Sequence, residues 1–255
     1  MNKSFAFFGR EREIDELCTL YALRKHVIIV GPAGIGKTAL LKQVRQHCPI
    51  LICEETSSLR RICDSMEPQL GWSHHKLNVI ERKNRLLVYL RRRGEPVAFD
   101  HVATTPPRVA RFIAHLGEQI PVWIACRSDQ PHEIRHVWPD LYKFQRVEIS
   151  PLTPLETRAL IEEAVAQGNI QVGARKRADE LHRMSGGNPR ILEELLIELA
   201  AREYKIDDSF GLDLLDLDRR IHEVVASASL PMNRTNRLAT ASPSSGGLEA
   251  DATEK

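Results

Sequence analysis

The sequence contains few aromatic residues and no long apolar run. Phe, Trp and Tyr together make up 5% of the 255 residues, which argues against a platform of aromatic rings for stacking single-stranded nucleic acid. The longest apolar runs are about five residues long, whereas a membrane-spanning helix needs roughly 20. We therefore expect no association with a membrane.

The net charge is small, and the cysteines do not form paired motifs. The formal charge of +2 at pH 7 does not mark the whole chain as a binder of polyanions. None of the five cysteines belongs to a C-x-x-C pair, and no secretory signal is recognisable before the first charged helical pattern. These features favour reduced thiols, and we expect the protein to be cytoplasmic.

The charges are unevenly distributed along the chain. Residues 60–93 contain nine basic and three acidic side chains, whereas residues 193–218 contain nine acidic and two basic ones. Each segment could present an ordinary solvated helix face. Alternatively, the basic edge of one copy could meet the acidic edge of another in a head-to-tail homo-oligomer.

A phosphate-binding motif follows the first apolar run. Residues 31–38 read Gly31-Pro32-Ala33-Gly34-Ile35-Gly36-Lys37-Thr38. This is the P-loop pattern G-x-x-x-x-G-K-[ST], and the apolar run before it and the helical pattern from Ala39 onward supply the strand–loop–helix context. Backbone N–H groups as far as Ala39 would bind phosphate oxygens. Lys37 would reach the β- and γ-phosphates, and the Thr38 hydroxyl would ligate Mg²⁺.

Short apolar runs alternate with helical patterns over the first 150 residues. Strands are predicted over residues 27–30, 50–53, 97–99, 122–125 and 147–149, and helices over 11–23, 38–47, 57–70, 74–92 and 107–116. Several runs are continuously apolar, which is typical of strands buried on both faces of a parallel sheet. The alternation predicts an α/β fold with a doubly wound, five-stranded parallel sheet, whose ligand would bind at the carboxyl ends of the strands.

A second, all-helical part follows the last strand. Thr153, Pro154 and Glu156 form the pattern of a capping box at a helix start. Further helices are predicted over residues 154–167, 174–184, 189–204 and 214–226. We divide the chain into a P-loop nucleotide-binding domain (1–150), a helical lid (151–228) and a Pro/Ser/Thr-rich tail (229–255) that we expect to be disordered.

An acidic residue closes a predicted strand that neighbours the P-loop. Asp100 takes the Walker B position, in which a carboxylate binds Mg²⁺ directly or through water; alone, it could also be a turn or cap residue. Hydrolytic enzymes of this class usually place a second acid next, but this chain has His101. Because histidine accepts protons near neutral pH, a weak hydrolase and a nucleotide-binding switch both remain open.

Two arginines are candidates for sensing a γ-phosphate. Arg127 ends an apolar run, where it could reach the phosphate or be a surface residue. Arg190 follows Gly187-Asn188-Pro189, in which Asn188 can cap a helix and Pro189 can occupy its first position. Capping explains the Asn-Pro pair but not the arginine, so structural and functional interpretations of Arg190 both stand.

Taken together, these motifs resemble those of AAA+/STAND-type P-loop ATPases of the additional-strand division, including its origin-recognition-like branch. The resemblance extends over roughly residues 5–205. Phe8, Gly9 and Arg10, followed by Glu11 and Glu13, match the hydrophobic-G-R-E-x-E motif that lies by the adenine in STAND proteins. The resemblance therefore implies that Phe8, Gly9 and Arg10 contact a bound ATP or ADP.

The same resemblance assigns roles to residues near the phosphates and in the lid. Arg127 matches the sensor 1 arginine of STAND members, and Arg190 stands where the origin-recognition-like branch has its sensor 2 arginine. Pro189 belongs to a lid motif whose proline packs near the base. The family's strand order, 5-1-4-3-2, would place the strand before Arg127 between the P-loop strand and the Asp100 strand.

Two classes of function follow. The first is an ATPase or ATP-operated switch, in which Mg·ATP bridges sheet and lid and the protein acts on a protein partner, with a homo-oligomer in the ATP state. The second is a nucleic-acid-associated helper of the loader or transposition-accessory type, whose basic residues 82–93 bind DNA phosphates. A protein that holds nucleotide only structurally is a third interpretation.

Overall fold

The computed structural model describes residues 9–73, 77–102, 105–128, 130, 134–168, 170, 172–201, 217 and 221. The chain divides into two units, Met1–Leu212 and Asp213–Lys255. The second unit is described only at Leu217 and Ile221, which are helical and exposed. The tail predicted over residues 229–255 lies outside the described residues, as does most of the helix predicted over 214–226.

A five-stranded parallel sheet forms the centre of the first unit. Its strands β1 to β5 are Val27–Val30, Leu51–Cys53, Val97–Phe99, Val122–Cys126 and Gln145–Glu148. They lie in the order β2-β3-β4-β1-β5, and every neighbouring pair is parallel. Strands β1 to β4 are buried along their whole length, as expected when helices cover both faces. The predicted fold class and strand order are confirmed.

Helices cover the sheet and form the helical part that follows β5, for which we keep the name lid. The described α-helices, α1 to α8, are Glu11–Ala22, Lys37–His47, Leu59–Met66, Val79–Arg93, Pro107–Gly117, Pro154–Ala166, Ala178–Ser185 and Pro189–Ala201. Short 3₁₀ helices occupy Pro68–Leu70, Arg135–Lys143 and Val172–Arg177. Within the described part of the chain, no helix is long and apolar enough to cross a membrane.

Two element boundaries differ from the predictions because of local chemistry. The helix predicted to reach residue 70 ends at Met66, since Pro68 has no N–H to continue the α-helical hydrogen bonding. The last strand begins at Gln145 rather than at residue 147. Only Val147 is buried in β5, because this strand lies at the sheet edge, and the apolar run that marks a central strand is therefore absent.

Two helices begin four or five residues later than predicted. Helix α4 starts at Val79, after a capping box in which the Asn78 side chain accepts from the Glu81 N–H and the Glu81 carboxylate accepts from the Asn78 N–H. Helix α7 starts at Ala178, because the residues from Val172 onward form a 3₁₀ helix. A capping side chain and a 3₁₀ turn thus determine where α4 and α7 begin, whereas the spacing of apolar residues alone predicted both starts too early.

Apolar side chains pack against both faces of the sheet. On one face, Phe99 packs with side chains of α3, α4 and α5. On the other face, Trp123 packs with side chains of α1 and α2, and its indole N–H donates to the Lys25 carbonyl at 3.1 Å. Burial of each large apolar side chain contributes about 1.5–3 kcal/mol. The second cluster fixes α2, which begins at the P-loop, against β1.

A buried ion pair joins α3 to α4. Arg82 forms two hydrogen bonds from Nε to the Glu67 carboxylate, at 3.0 and 3.1 Å, and its Nη2 lies 2.7 Å from both Glu67 and Asp64. These hydrogen bonds, above all those with Glu67, raise the pKa of the Arg82 guanidinium despite its burial. Arg82 is therefore unavailable to an external polyanion, although it belongs to the basic segment.

The lid is tied to the strand that precedes it through one glycine. Thr153 and Glu156 form the expected capping box at the start of α6. Just before it, the Leu152 N–H donates to the Gly187 carbonyl at 2.8 Å. Gly187 has φ +71°, and a Cβ there would lie 2.3 Å from the Leu152 carbonyl oxygen. Only glycine therefore fits this junction between the linker and the loop before α8.

This junction predicts a difference between two adjacent glycines. Gly187→Ala would introduce both a left-handed alanine and a collision with backbone, whereas Gly186→Ala would introduce only the former, since its φ is +59° with no atom near a built Cβ. We expect Gly187→Ala to lower the free energy of unfolding by about 2 kcal/mol more than Gly186→Ala. Urea unfolding of both variants measures this, and equal losses would contradict the described junction.

Candidate functional site

The P-loop lies between β1 and α2 at the carboxyl edge of the sheet. The Gly31 N–H donates to the Cys126 carbonyl of β4 at 3.3 Å, which anchors the start of the loop. Helix α2 begins at Lys37, and its N-cap residue, Gly36, supplies no side-chain acceptor. The first N–H groups of α2, with the positive end of the helix dipole, are thus directed to the loop, an arrangement suited to an anion.

Lys37 is buried within the loop. Its Nζ donates to the carbonyl oxygens of Gly31 and Pro32 at 2.7 and 2.9 Å. Burial is the main cause of a lowered pKa for Lys37; the Asp100 carboxylate opposes this shift, and the Arg127 charge adds to it. Among the described residues, the hydrogen-bond acceptors of this ammonium are two neutral carbonyls. A polyphosphate would supply the full negative charge that a buried cation favours.

The side chains of Thr38 and Asp100 meet at this edge. The Thr38 hydroxyl donates to Oδ2 of Asp100, and Oδ1 of Asp100 accepts from the His101 N–H at 2.9 Å. The Asp100 N–H donates to the Cys53 carbonyl at 2.8 Å, which ties it to β2. Asp100 is buried at the end of β3, and Thr38 is half-buried in the first turn of α2. Both side chains offer oxygen atoms, the ligand type that Mg²⁺ prefers.

The donor set fits a magnesium ion that also binds phosphates. Within the described residues, no cluster of three or more His, Cys, Asp or Glu side chains could hold a metal by itself. Mg²⁺ commonly uses one or two protein oxygens and completes its shell with waters and substrate phosphates. Thr38 and Asp100 could supply that small protein share.

His101 is held by its backbone while its ring faces solvent. The residue has φ +54°, and its carbonyl accepts from the Thr56 hydroxyl at 3.1 Å, which in turn accepts from Thr105 at 3.0 Å. The imidazole is 70% exposed, and its Nε2 lies 3.5 Å from Oδ2 of Asp100. The ring thus lies at the edge of the site, in contact with solvent, at the position where hydrolytic enzymes of this class usually carry a carboxylate.

Arg127 lies between the P-loop strand and the Asp100 strand. It directly follows β4, which pairs with β1 on one side and with β3 on the other. Its side chain is exposed, and it is close enough to Lys37 for its charge to lower the pKa of that ammonium. The strand order therefore places a third charged group at the same edge.

The lid contacts the apex of the P-loop. The Asn188 side-chain amide donates to the Ala33 carbonyl at 2.9 Å, and the Arg190 N–H lies 3.3 Å from the Gly34 carbonyl. A Cβ at Gly34 would lie 2.8 Å from the Arg190 Cβ and 2.9 Å from the Asn188 Oδ1. Glycine at position 34 is what permits this close approach. The start of α8 therefore rests directly on the loop.

The Arg190 guanidinium does not point to the loop in this structure. Its Nε donates to the Glu194 carboxylate at 2.9 Å, one turn along α8, and the side chain is 69% exposed. The residue thus contributes its backbone N–H, not its charge, to the contact with Gly34. Release of an exposed pair of this kind costs at most about 1 kcal/mol, so the guanidinium is free to adopt other rotamers.

The N-terminal motif lies beside the start of the lid. Phe8 lies outside the described residues. Gly9 contacts the Glu156 side chain, since a Cβ there would lie 3.0 Å from Glu156 Cγ. Arg10 is buried; its Nη1 donates to Glu13 at 2.9 Å, whereas its Nη2 has no partner among the described residues. A buried donor without an acceptor is costly, and an acceptor from a bound ligand would satisfy it.

The sequence did not predict the contacts of two residues at the carboxyl edge of the sheet. Asn188 was interpretable only as a helix cap, and its side-chain oxygen does accept from the Arg190 N–H at 3.1 Å. Its amide nitrogen, however, contacts Ala33, 155 residues away. Thr56 holds the His101 carbonyl across β2 and β3. No local pattern marks such long-range contacts. Pro189, which the family resemblance places near the base, is the first residue of α8 and is half-buried.

Comparisons with known proteins agree with this geometry. The family model described as AAA ATPase domain matches residues 6–205. No curated protein matches the sequence. Solved structures are similar in fold at low sequence identity. The Walker-type ATPase PABY2304 of Pyrococcus abyssi has a TM-score of 0.59 and 16% identity, with 88% of this chain and 77% of that chain covered.

Two further structures share the fold. Cdc6p from Pyrobaculum aerophilum has a TM-score of 0.60 and 16% identity, with 78% of this chain and 64% of that chain covered. The ORC1 protein of Aeropyrum pernix, solved in complex with DNA, has a TM-score of 0.57 and 17% identity, with coverage of 89% and 70%. At these identities the likeness concerns the fold alone.

Proposed function

The chain belongs to the AAA ATPase domain family, whose model matches residues 6–205, and from this premise we propose that it is an ATP-operated switch acting on a protein partner. The observation that carries the proposal is the contact between the lid and the P-loop. Asn188 and the Arg190 N–H bind the carbonyls of Ala33 and Gly34, so a change in the loop on nucleotide binding would be transmitted to α8.

In this proposal, the residues at the carboxyl edge hold the nucleotide. The backbone of residues 31–39 and the Lys37 ammonium bind the phosphates, while Thr38 and Asp100 hold Mg²⁺. The ion, when bound, neutralises charge on the β- and γ-phosphates. The buried Nη2 of Arg10, which has no hydrogen-bond partner in the described part of the chain, and the nearby start of the lid support a base-binding role for Phe8, Gly9, Arg10 and Pro189.

Two arginines would distinguish ATP from ADP. Arg127 lies at the edge shared by Lys37 and Asp100, where a γ-phosphate would compensate its charge. Arg190 would leave Glu194 for the phosphate, and the lid would close further. Loss of the γ-phosphate would return both arginines to solvent and release the lid. In the ATP state the chain would form a homo-oligomer, and the protein partner would recognise this state.

Hydrolysis in this proposal is slow and depends on His101. The exposed imidazole, 3.5 Å from the Asp100 carboxylate, lies where it could act as the general base for an attacking water. It lacks the permanent negative charge by which a carboxylate orients an attacking water. The nucleotide would therefore remain bound long enough for the ATP state to act as a signal.

The first test concerns the P-loop lysine. We expect Lys37→Ala to weaken ATP binding about 30-fold or more, because truncating one partner of a charge pair with phosphate costs about 2–5 kcal/mol. Lys42→Ala is the matched control: Lys42 lies on the same helix, is 57% exposed and pairs with Glu54. Isothermal titration calorimetry measures both, with light scattering on the same samples to follow oligomerisation. Unchanged ATP affinity in Lys37→Ala would contradict the proposal.

The second test concerns the rate of hydrolysis. We expect His101→Glu to raise the ATPase turnover number about tenfold or more, since a positioned general base contributes about 10²–10⁴-fold. Glutamate fits the left-handed backbone at φ +54° less well than aspartate, so His101→Asp is measured beside it, with His101→Asn as the uncharged control. If neither acid exceeds the parent in phosphate release, water is positioned by another residue.

A second candidate function, binding of duplex DNA, is favoured by one observation. Arg91 at the end of α4 contacts His115 of α5 at 3.0 Å, and Arg92, Arg108 and Arg111 of the same two helices are exposed. We define these five side chains as the α4–α5 basic surface. This surface differs from the predicted DNA-binding stretch, residues 82–93, because Arg82 is buried. The ORC1 structure with DNA makes such a role reasonable to test.

The salt dependence of DNA binding tests this candidate. If the surface contacts phosphates, a double substitution Arg92→Ala/Arg111→Ala should reduce the slope of log K against log [salt] by about 2, because each lost phosphate contact removes about one counterion. Arg175→Ala, at an exposed position in the lid, is the control. Absence of binding by the parent protein even at low salt would reject DNA as a partner.

A further inference from the structure

Two cysteines from different helices are in contact on one face of the sheet. The Cys48 Sγ lies 3.4 Å from the Cys18 Sγ and donates a hydrogen bond to it. Cys48 is the C-cap residue of α2 and is buried, whereas Cys18 lies on α1 and is half-buried. The other cysteines, Cys53, Cys63 and Cys126, are all buried. Only Cys18 therefore combines access from solvent with a neighbouring thiol.

We propose that Cys18 and Cys48 form a redox-active pair, which a low-molecular-weight disulfide of the glutathione type converts into an intramolecular disulfide. A disulfide needs an S–S distance of about 2.05 Å, so the two sulfur atoms have to approach by only about 1.4 Å. The α1 and α2 backbones already hold the thiols together. This proposal concerns a modification site and does not rest on the proposed nucleotide switch.

The oxidation proceeds through two exchanges that balance. The Cys18 thiolate attacks one sulfur of the oxidant, the oxidant's S–S bond breaks, and one small thiolate leaves. Cys48 then gives up its proton and attacks the Cys18 sulfur, and the second small thiolate leaves. Two protein thiols are thereby oxidised to one disulfide, and one small disulfide is reduced to two thiols, which take up the two protons.

The burial of Cys48 decides which step is slow. Burial, with the Cys18 thiol as a second cause, raises the pKa of Cys48 to about 12. The thiolate needed for the second exchange is therefore scarce at neutral pH, and the closure step should accelerate about tenfold for each unit by which the pH rises toward that value. The half-buried Cys18 would enter the first exchange.

The cross-link would close a loop that contains β1, the P-loop and α2. The two cysteines are 30 positions apart, so the disulfide removes conformational freedom from the unfolded chain. We expect Tm to rise by about 5 °C in the oxidised protein. Cys48 lies at the opposite end of α2 from Lys37, roughly 16 Å away for an 11-residue helix. Nucleotide affinity should therefore be unchanged.

Thiol counting on the full chain tests the pair. After incubation with oxidised glutathione and removal of the reagent, we expect the thiol count in denaturant to fall from five to three. Peptide mapping should then identify a Cys18–Cys48 link. Cys18→Ser and Cys48→Ser should each prevent the link and the rise in Tm. Cys63→Ser, which removes a buried thiol of α3, the helix whose Ile62 and Met66 pack on the other face of the sheet, should still form it.

Several results would overturn the proposal. Five remaining thiols in the treated parent would mean that the pair is not oxidisable in the folded protein. A link between Cys53 and Cys63, or a disulfide-linked dimer, would mean that oxidation follows a different contact. Formation of the link at the same rate at pH 7 and pH 9 would contradict the closure step described here, because that step requires ionisation of Cys48.

Discussion

The hydrogen bond between the Thr38 hydroxyl and the Asp100 carboxylate is the interaction on which the candidate site depends. It joins the first turn of α2 to the end of β3, across 62 positions of sequence. A buried carboxylate is tolerated when donors surround it, and Thr38 and the His101 N–H supply them. The same bond holds the P-loop in register with the neighbouring strands. Lys37 and Arg127 can only share this edge because β4 lies between β1 and β3.

The lid depends on a second constraint, the close approach of two backbones. Gly187 admits the Leu152 carbonyl, and Gly34 admits the start of α8. With both contacts made, Asn188 bonds the loop apex directly. The lid is therefore connected to the loop by hydrogen bonds to backbone carbonyls, which depend on loop conformation. This is why a conformational change in the P-loop is the natural input for the proposed switch.

Much of the fold was predictable because its signals are local. The continuous apolar runs of β1 to β4 indicate burial on both faces of the sheet. The strand order came from the family resemblance and not from local signals, and it agrees with the observed order. The start of β5 was missed because an edge strand buries only Val147. The basic segment was only partly interpretable: Arg82 looks like a surface residue in the sequence, but it is buried against Glu67. Formal charge does not indicate which charges are paired.

In the candidate site, too, some features have local sequence signals and others depend on tertiary contacts. The sequence alone determined the P-loop, the Asp100 position and the glycines at tight turns, because backbone geometry restricts those positions to particular residue types over a few consecutive residues. Only the tertiary structure decided that Asn188 reaches Ala33, that the Arg190 side chain pairs with Glu194, and that Cys18 contacts Cys48. These contacts depend on how helices pack across the sheet. The positions of the contacting residues are set by the whole core and leave no trace in local sequence patterns.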